Sequence, residues 1–126
     1  NRVTCDAVLT VLQVGAGGPL DEGLPVAALS GTLADEFLDG PMVGRLRAKT
    51  GTLNNPPVEL DPPAVKALAG YVDPRAGIGP GTIEFVVIVN TPEVTDESVY
   101  QPLWAALGER FATYPTGPSP DLLRPR

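Results

Sequence analysis

The sequence predicts a domain of mixed α/β class, of the α+β type, with an antiparallel sheet flanked by helices. Three observations carry that prediction. Thr82-Ile83-Glu84-Phe85-Val86-Val87-Ile88-Val89-Asn90 is rich in β-branched residues and nearly continuous in its apolar run, which reads as a strand covered on both faces. Tyr100, Leu103, Trp104, Leu107 and Phe111 recur at i, i+3, i+4, i+7 and i+11, the stripe of a helix packed on a sheet. Three strand-like runs follow one another between Val43 and Asn90 with no helical pattern between them, and short connections of that kind build an antiparallel meander.

Taken in order, Thr4 is a candidate N-cap for a helix whose apolar positions Val8, Val11 and Leu12 carry it to about Val14. Gly15-Ala16-Gly17-Gly18-Pro19 ends that helix. A dinucleotide loop is the competing reading, but the cluster follows a helix rather than a strand and lacks the third glycine at the required spacing. Asp21 and Glu22 read as a solvated turn. Leu24 to Leu29 is a short apolar stretch, and Thr32, with Asp35 and Glu36 behind it, is expected to cap a brief helix through about Phe37 or Leu38. Asp39-Gly40-Pro41 breaks it.

The first strand is predicted from Val43 to Leu53. Alternation puts Arg45, Arg47, Lys49 and Gly51 on one face and Leu46, Ala48, Thr50 and Thr52 on the other. So long a polar row favours an edge strand, and an edge can pair with an extended peptide. Asn54 to Pro63 holds four prolines and is expected to be a stiff loop overhanging whatever the first strand touches. Ala67 to Val72 is the second strand, and Asp73 to Gly81 a turn region. Asp96, Glu97 and Ser98 open the last helix, with Pro102 near its first turn. Tyr114 to Arg126, with four prolines, is expected to be a loose tail.

Composition narrows the function. The chain has 126 residues, enough for one domain with a modest core, and 43 % of them are apolar, so it should fold. Its formal charge of −6 argues against a nucleic-acid partner, which would need a basic surface. No apolar run is long enough to span a membrane, and a start at Asn1-Arg2-Val3 reads as a mature or cut fragment. Histidine is absent, which removes a Ser-His-Asp triad and zinc-protease chemistry from this stretch. Cys5 stands alone and cannot form an internal disulfide or a metal site; it reads as a small buried residue on a helix face, with a free or partner-bonded thiol as the alternative. No cofactor is implied.

Chemistry concentrates in Lys49-Thr50-Gly51-Thr52. Lys-Thr-Gly is one of the signatures of penicillin-binding proteins and serine β-lactamases. A lysine at a strand edge supplies a fixed positive charge, and hydroxyls beside it can bind a carboxylate. Glycine gives clearance for close approach of another element. The residue after it can aim its N–H at a developing oxyanion.

With these residues in place, the chain resembles the C-terminal part of a class C, type-4-like penicillin-binding protein, a D-alanyl-D-alanine carboxypeptidase/endopeptidase of the bacterial cell envelope. The resemblance is carried by Asn1-Arg2-Val3-Thr4, by Leu24-Pro25-Val26-Ala27 with Ser30-Gly31-Thr32-Leu33, by Leu68-Ala69-Gly70-Tyr71-Val72, and most specifically by Arg45 to Leu53 around the tetrad. It departs from that pattern in the long Asn54–Pro63 segment and at Ala28, where glycine is expected. The resemblance implies a serine β-lactamase/transpeptidase-like fold, with residues 1–113 as its C-terminal portion and 114–126 as the tail. It further implies Lys49 and Thr52 as catalytic residues, through charge stabilisation and an oxyanion-hole N–H, and Thr50, Gly51 and Thr52 as the substrate-binding edge. The family's nucleophile is a serine with lysine three residues later, accompanied by a Ser-x-Asn motif. Ser30, Ser98 and Ser119 match neither. The expected partners are therefore the N-terminal portion of the same polypeptide, a peptidoglycan peptide and β-lactams, in an extracytoplasmic location. A serine β-lactamase or esterase on the same architecture, or a non-catalytic peptide-binding envelope module, are the alternatives.

Overall fold

A computed structural model describes residues 3–54, 64–73 and 82–114. Helix α1 (Cys5–Gly15) is followed by the single turn α2 (Pro19–Glu22), a 3₁₀ turn (Gly31–Leu33), strands β1 (Leu46–Leu53), β2 (Val65–Val72) and β3 (Ile83–Asn90), and helix α3 (Glu97–Thr113). The expectations for the proline-rich segment beyond Asn54, for the turn after Asp73 and for the tail after Tyr114 fall outside the described residues. Among the described residues no helix is long and apolar enough to cross a membrane.

The caps follow the local chemistry. Thr4 Oγ1 accepts the Ala7 N–H at 3.2 Å and opens α1, and Asp96 Oδ1 accepts the Ser98 N–H at 2.8 Å and opens α3. Each satisfies one of the N–H groups that a helix start leaves without an internal partner.

The predicted meander is the fold's centre: one three-stranded antiparallel sheet in the order β1-β2-β3. Its register pairs Ala48 with Gly70 and Thr50 with Leu68, and Leu68 in turn with Val87. Both faces are covered. On one, Leu46, Ala48, Leu68, Val72 and Phe85 pack with Tyr100 and Trp104 of α3 and with Ala27, Leu33 and Met42 of the preceding loops. The rings of Phe85 and Phe111 lie 4.7 Å apart, within the range of a favourable aromatic pair. On the other face Tyr71, fully buried, donates its hydroxyl to the Leu12 carbonyl of α1 at 2.6 Å. Gly70 is required where the two strands cross closely: a Cβ there would lie 2.6 Å from Ala48 Cα.

Several expectations are corrected. Leu103 is 44 % exposed, because the buried line runs through Tyr100, Trp104 and Gly108 and leaves Leu103 at the stripe's margin. The helix foreseen at Thr32 is only the 3₁₀ turn, since the carbonyls of Leu33 and Glu36 turn inward to accept the Ala28 N–H instead of continuing a helical ladder. Gly44, at φ 68°, turns the chain before β1, so the strand starts at Leu46 rather than Val43. Cys5 is exposed: it shares the face of Leu12 but is the first residue of α1, where the sheet's cover does not reach it. Asp21 is buried rather than solvated, because Arg47 draws it inward. Ala28, at the position where the resemblance leads one to expect glycine, has φ 62°, a left-handed conformation that glycine adopts without the steric cost an L side chain incurs.

Candidate active site

The site is built on the outer edge of β1. Pro25–Ala27 covers the beginning of that edge: Ala27 N–H donates to the Leu46 carbonyl and Ala48 N–H to the Pro25 carbonyl, each at 2.9 Å. Beyond Ala48 the edge has no backbone partner among the described residues. In an antiparallel strand the N–H and C=O of one residue point to the same side, and the side alternates along the chain. Ala48 points outward, so Thr50 and Thr52, in phase with it, also turn their N–H groups to the open edge. Lys49 and Gly51 are paired inward with Ala69 and Ala67.

Lys49 is exposed, and its Nζ donates to the Thr50 carbonyl at 2.8 Å, with Thr32 Oγ1 at 3.5 Å. Its ammonium thus rests on the open edge itself. Gly51 carries no constraint from its own sheet: a Cβ there would meet only Ala67 Cβ at 3.4 Å, an ordinary contact, and its φ is not in the left-handed range.

Thr52 is exposed, and its Oγ1 accepts from Lys66 Nζ at 3.2 Å. Lys66, opposite Thr52 in the register, is only 8 % exposed. Its Nζ lies 3.8 Å from the centre of the Tyr100 ring, a cation–π contact. Tyr100 donates its hydroxyl to Glu36 Oε1 at 3.2 Å. Burial, reinforced by the Glu36 charge, pushes the Tyr100 phenol above its ordinary pKa and keeps it neutral. Sequence reasoning missed Lys66 because it began β2 at Ala67; a strand extended to Val65 would have put Lys66 on the core face, in phase with Leu68.

The opposite face of β1 is fixed by Arg47. Its Nε donates to Asp21 Oδ1 at 2.7 Å and its Nη1 to Asp73 Oδ2. The guanidinium holds the Asp21 carboxyl below the usual carboxylate range, with help from the Gly17 N–H. Arg45 also anchors this end, donating to the carbonyls of Pro41 and Asp73. The strand that carries the tetrad is therefore tied at its start to both α2 and the end of β2.

A separate groove of about 340 Å³ is lined by Asp35, Glu36, Asp39 and Trp104 among others, and holds none of Lys49, Thr50, Gly51 or Thr52. The chemical resources of the β1 edge are two outward N–H groups, two hydroxyls and two ammonium groups. They suit an extended, anionic peptide end. Of the described serines, Ser98 Oγ donates to Asp96 Oδ1 at 2.7 Å in the cap of α3 and Ser30 Oγ accepts the Val26 N–H at 3.0 Å, and neither stands three residues before a lysine.

Residues 1–110 match the model of the D-Ala-D-Ala carboxypeptidase 3 (S13) family. Carboxypeptidase Rv3627c of Mycobacterium tuberculosis is 38 % identical over 88 residues, which cover 61 % of this chain and 17 % of that protein. Carboxypeptidase DacB of Mycolicibacterium smegmatis is 33 % identical over 117 residues, 85 % of this chain and 23 % of that protein. The chain thus spans about a fifth of the length of these relatives. No solved structure matches it. With a family model covering nearly all of the described sheet and helices, the chain belongs to the D-Ala-D-Ala carboxypeptidase 3 (S13) family.

Proposed function

We propose that this chain supplies the Lys-Thr-Gly-Thr edge of a serine D-alanyl-D-alanine carboxypeptidase/endopeptidase acting on peptidoglycan stem peptides outside the cytoplasm. The nucleophile, a serine with lysine three residues later, and the Ser-x-Asn motif come from an N-terminal portion of the same polypeptide. The observation that carries the reading is the open edge of β1, where Thr50 and Thr52 turn outward beside the Lys49 ammonium.

On this reading the peptide's C-terminal end lies along the β1 edge as an added strand. The serine hydroxyl attacks the penultimate D-alanine carbonyl and gives up its proton to the serine-lysine network. The Thr52 N–H is one donor to the oxyanion that forms, an interaction whose loss costs ~10²–10³ in rate. Collapse of the intermediate breaks the peptide bond and releases D-alanine, whose amine takes the proton; water then hydrolyses the ester. Lys49 stabilises negative charge and poises the proton network, and the Thr50 and Thr52 hydroxyls hold the terminal carboxylate. A β-lactam, which carries an acyl group and a carboxylate in a similar arrangement, acylates the same serine.

The test is release of D-alanine from a D-alanyl-D-alanine peptide by the full-length polypeptide, compared with its Lys49→Ala variant. The expected result is turnover by the parent and a fall of at least ~10²-fold in kcat/KM for the variant. Equal turnover by both would remove the β1 edge from the active site. Rapid hydrolysis of a penicillin with no action on the peptide would instead identify a β-lactamase.

A further inference from the structure

Lys66 is a buried cation with no carboxylate in ion-pairing range among the described residues. Among the described residues its neighbours are Thr52 Oγ1 at 3.2 Å and the Tyr100 ring at 3.8 Å. Glu36, the nearest acid in this chain of contacts, is engaged by the Tyr100 hydroxyl instead. A buried charge is costly unless paired, and among the described residues no counter-charge offsets this one, so its placement calls for an explanation. The position is also specific, because the register sets Lys66 directly across from the last residue of the tetrad.

The chemistry of the contact supplies one. An ammonium has three donors and no acceptor, whereas a threonine hydroxyl is both a donor and an acceptor. Lys66 Nζ can only donate, so Thr52 Oγ1 must accept from it, and the hydroxyl hydrogen is left to donate elsewhere. Thr52 is exposed at the open strand edge, so that hydrogen is available to an incoming group. A positive charge immediately behind the hydroxyl makes an anion the preferred acceptor.

We propose that Lys66 is a positioning residue that fixes the Thr52 hydroxyl as a donor toward the C-terminal carboxylate of the bound peptide and adds the charge that makes a carboxylate preferable to a neutral end. Tyr100 holds the ammonium in place through its ring face, and Glu36 holds Tyr100. This inference rests on the proposed carboxypeptidase reading of the β1 edge and deepens it by naming the residue that reads the substrate's terminal charge.

The experiment compares two peptides with the full-length polypeptide: one ending in D-alanyl-D-alanine with a free carboxylate, the other with the same end as a carboxamide. The quantity read is the ratio of their kcat/KM values. Lys66→Met is expected to lower the preference for the free acid by at least ~10-fold, the scale of one hydrogen bond to a charged group. The loss should fall mainly in KM for the acid and leave the amide little changed. Lys66→Arg should restore most of the preference. In a Thr52→Val background, Lys66→Met should change the ratio less than about 2-fold, because the two residues act as one unit. If Lys66→Met does not accumulate as folded protein, Lys66→Leu, which likewise removes both the donor and the charge, carries the same expectation.

A merely structural lysine would lower turnover of both peptides together and leave the ratio unchanged, and that result overturns the inference while leaving the carboxypeptidase reading intact. Failure of the parent protein to cleave either peptide overturns both.

Discussion

Arg47 Nε lies 2.7 Å from Asp21 Oδ1, and this ion pair joins the tetrad strand to the turn that follows the first helix. The same guanidinium reaches Asp73 at the end of β2. Arg47 stands two residues before Lys49 on the same face of β1, so the position of the open edge depends on a clamp made at the start of its own strand. Removing the guanidinium would leave Asp21, nearly buried, without its partner. Arg47→Met should therefore destabilise the protein by about 2–3 kcal/mol, measurable by chemical denaturation. Asp21→Asn, which retains a hydrogen-bond acceptor, should cost less.

The same pair predicts an acid limb in the stability profile. The folded Asp21 carboxyl is held below its ordinary pKa, first by the hydrogen bond from Arg47. The unfolded carboxyl, near 3.9, binds its proton more readily. The contribution is therefore present above that value and is lost as pH falls through it toward the folded pKa. Tyr71 acts in the opposite sense, because burial pushes its phenol upward. Its contribution is present below pH ~10 and is lost as pH rises beyond the unfolded phenol's pKa. Unfolding measured across pH should show both limbs, with Asp21→Asn flattening the acid one and Tyr71→Phe the alkaline one.

Gly70 is the tightest point between β1 and β2. A methyl there would collide with Ala48 Cα, 2.6 Å away, and with the Arg47 backbone. Rigid backbone on both strands leaves no flexible side chain to yield. Gly70→Ala should cost about 3 kcal/mol and disturb the register that sets Lys66 across from Thr52. A melting curve indistinguishable from the parent's would show that the strands do not approach this closely.

Ala28 offers a change in the opposite direction. Its φ of 62° places an L residue in the left-handed region, a cost of about 1–2 kcal/mol that glycine escapes. Ala28→Gly, with the lost methyl and added chain entropy set against that relief, should stabilise the protein by about 0.5–1 kcal/mol. Thermal unfolding decides the sign.

Much of this arrangement was legible in the residues. The β-branched composition of β3 marked it as a strand, the aromatic stripe of α3 had a helical period, and the row Arg45, Arg47, Lys49 placed β1 at an edge. What escaped depended on distant partners. Asp21 and Arg47 are 26 positions apart in the chain, and nothing local to Asp21 marks it as buried. Lys66 lies beside a proline-rich segment, which drew the boundary of β2 two residues too far along and hid the lysine's phase. The inward turn of the Leu33 and Glu36 carbonyls answers a need at Ala28, so a helix that satisfied its own capping chemistry gave way to tertiary demand.

The central claim is that Lys49 and the open edge beside it belong to an acyl-transfer site. Intact-mass spectrometry of the full-length polypeptide after incubation with a penicillin tests it most directly, with Lys49→Ala alongside. The account predicts a covalent adduct on a serine outside this chain's sequence, formed at least ~10²-fold more slowly in the variant. An adduct that forms equally fast without Lys49, or no adduct on a folded parent protein, would contradict it.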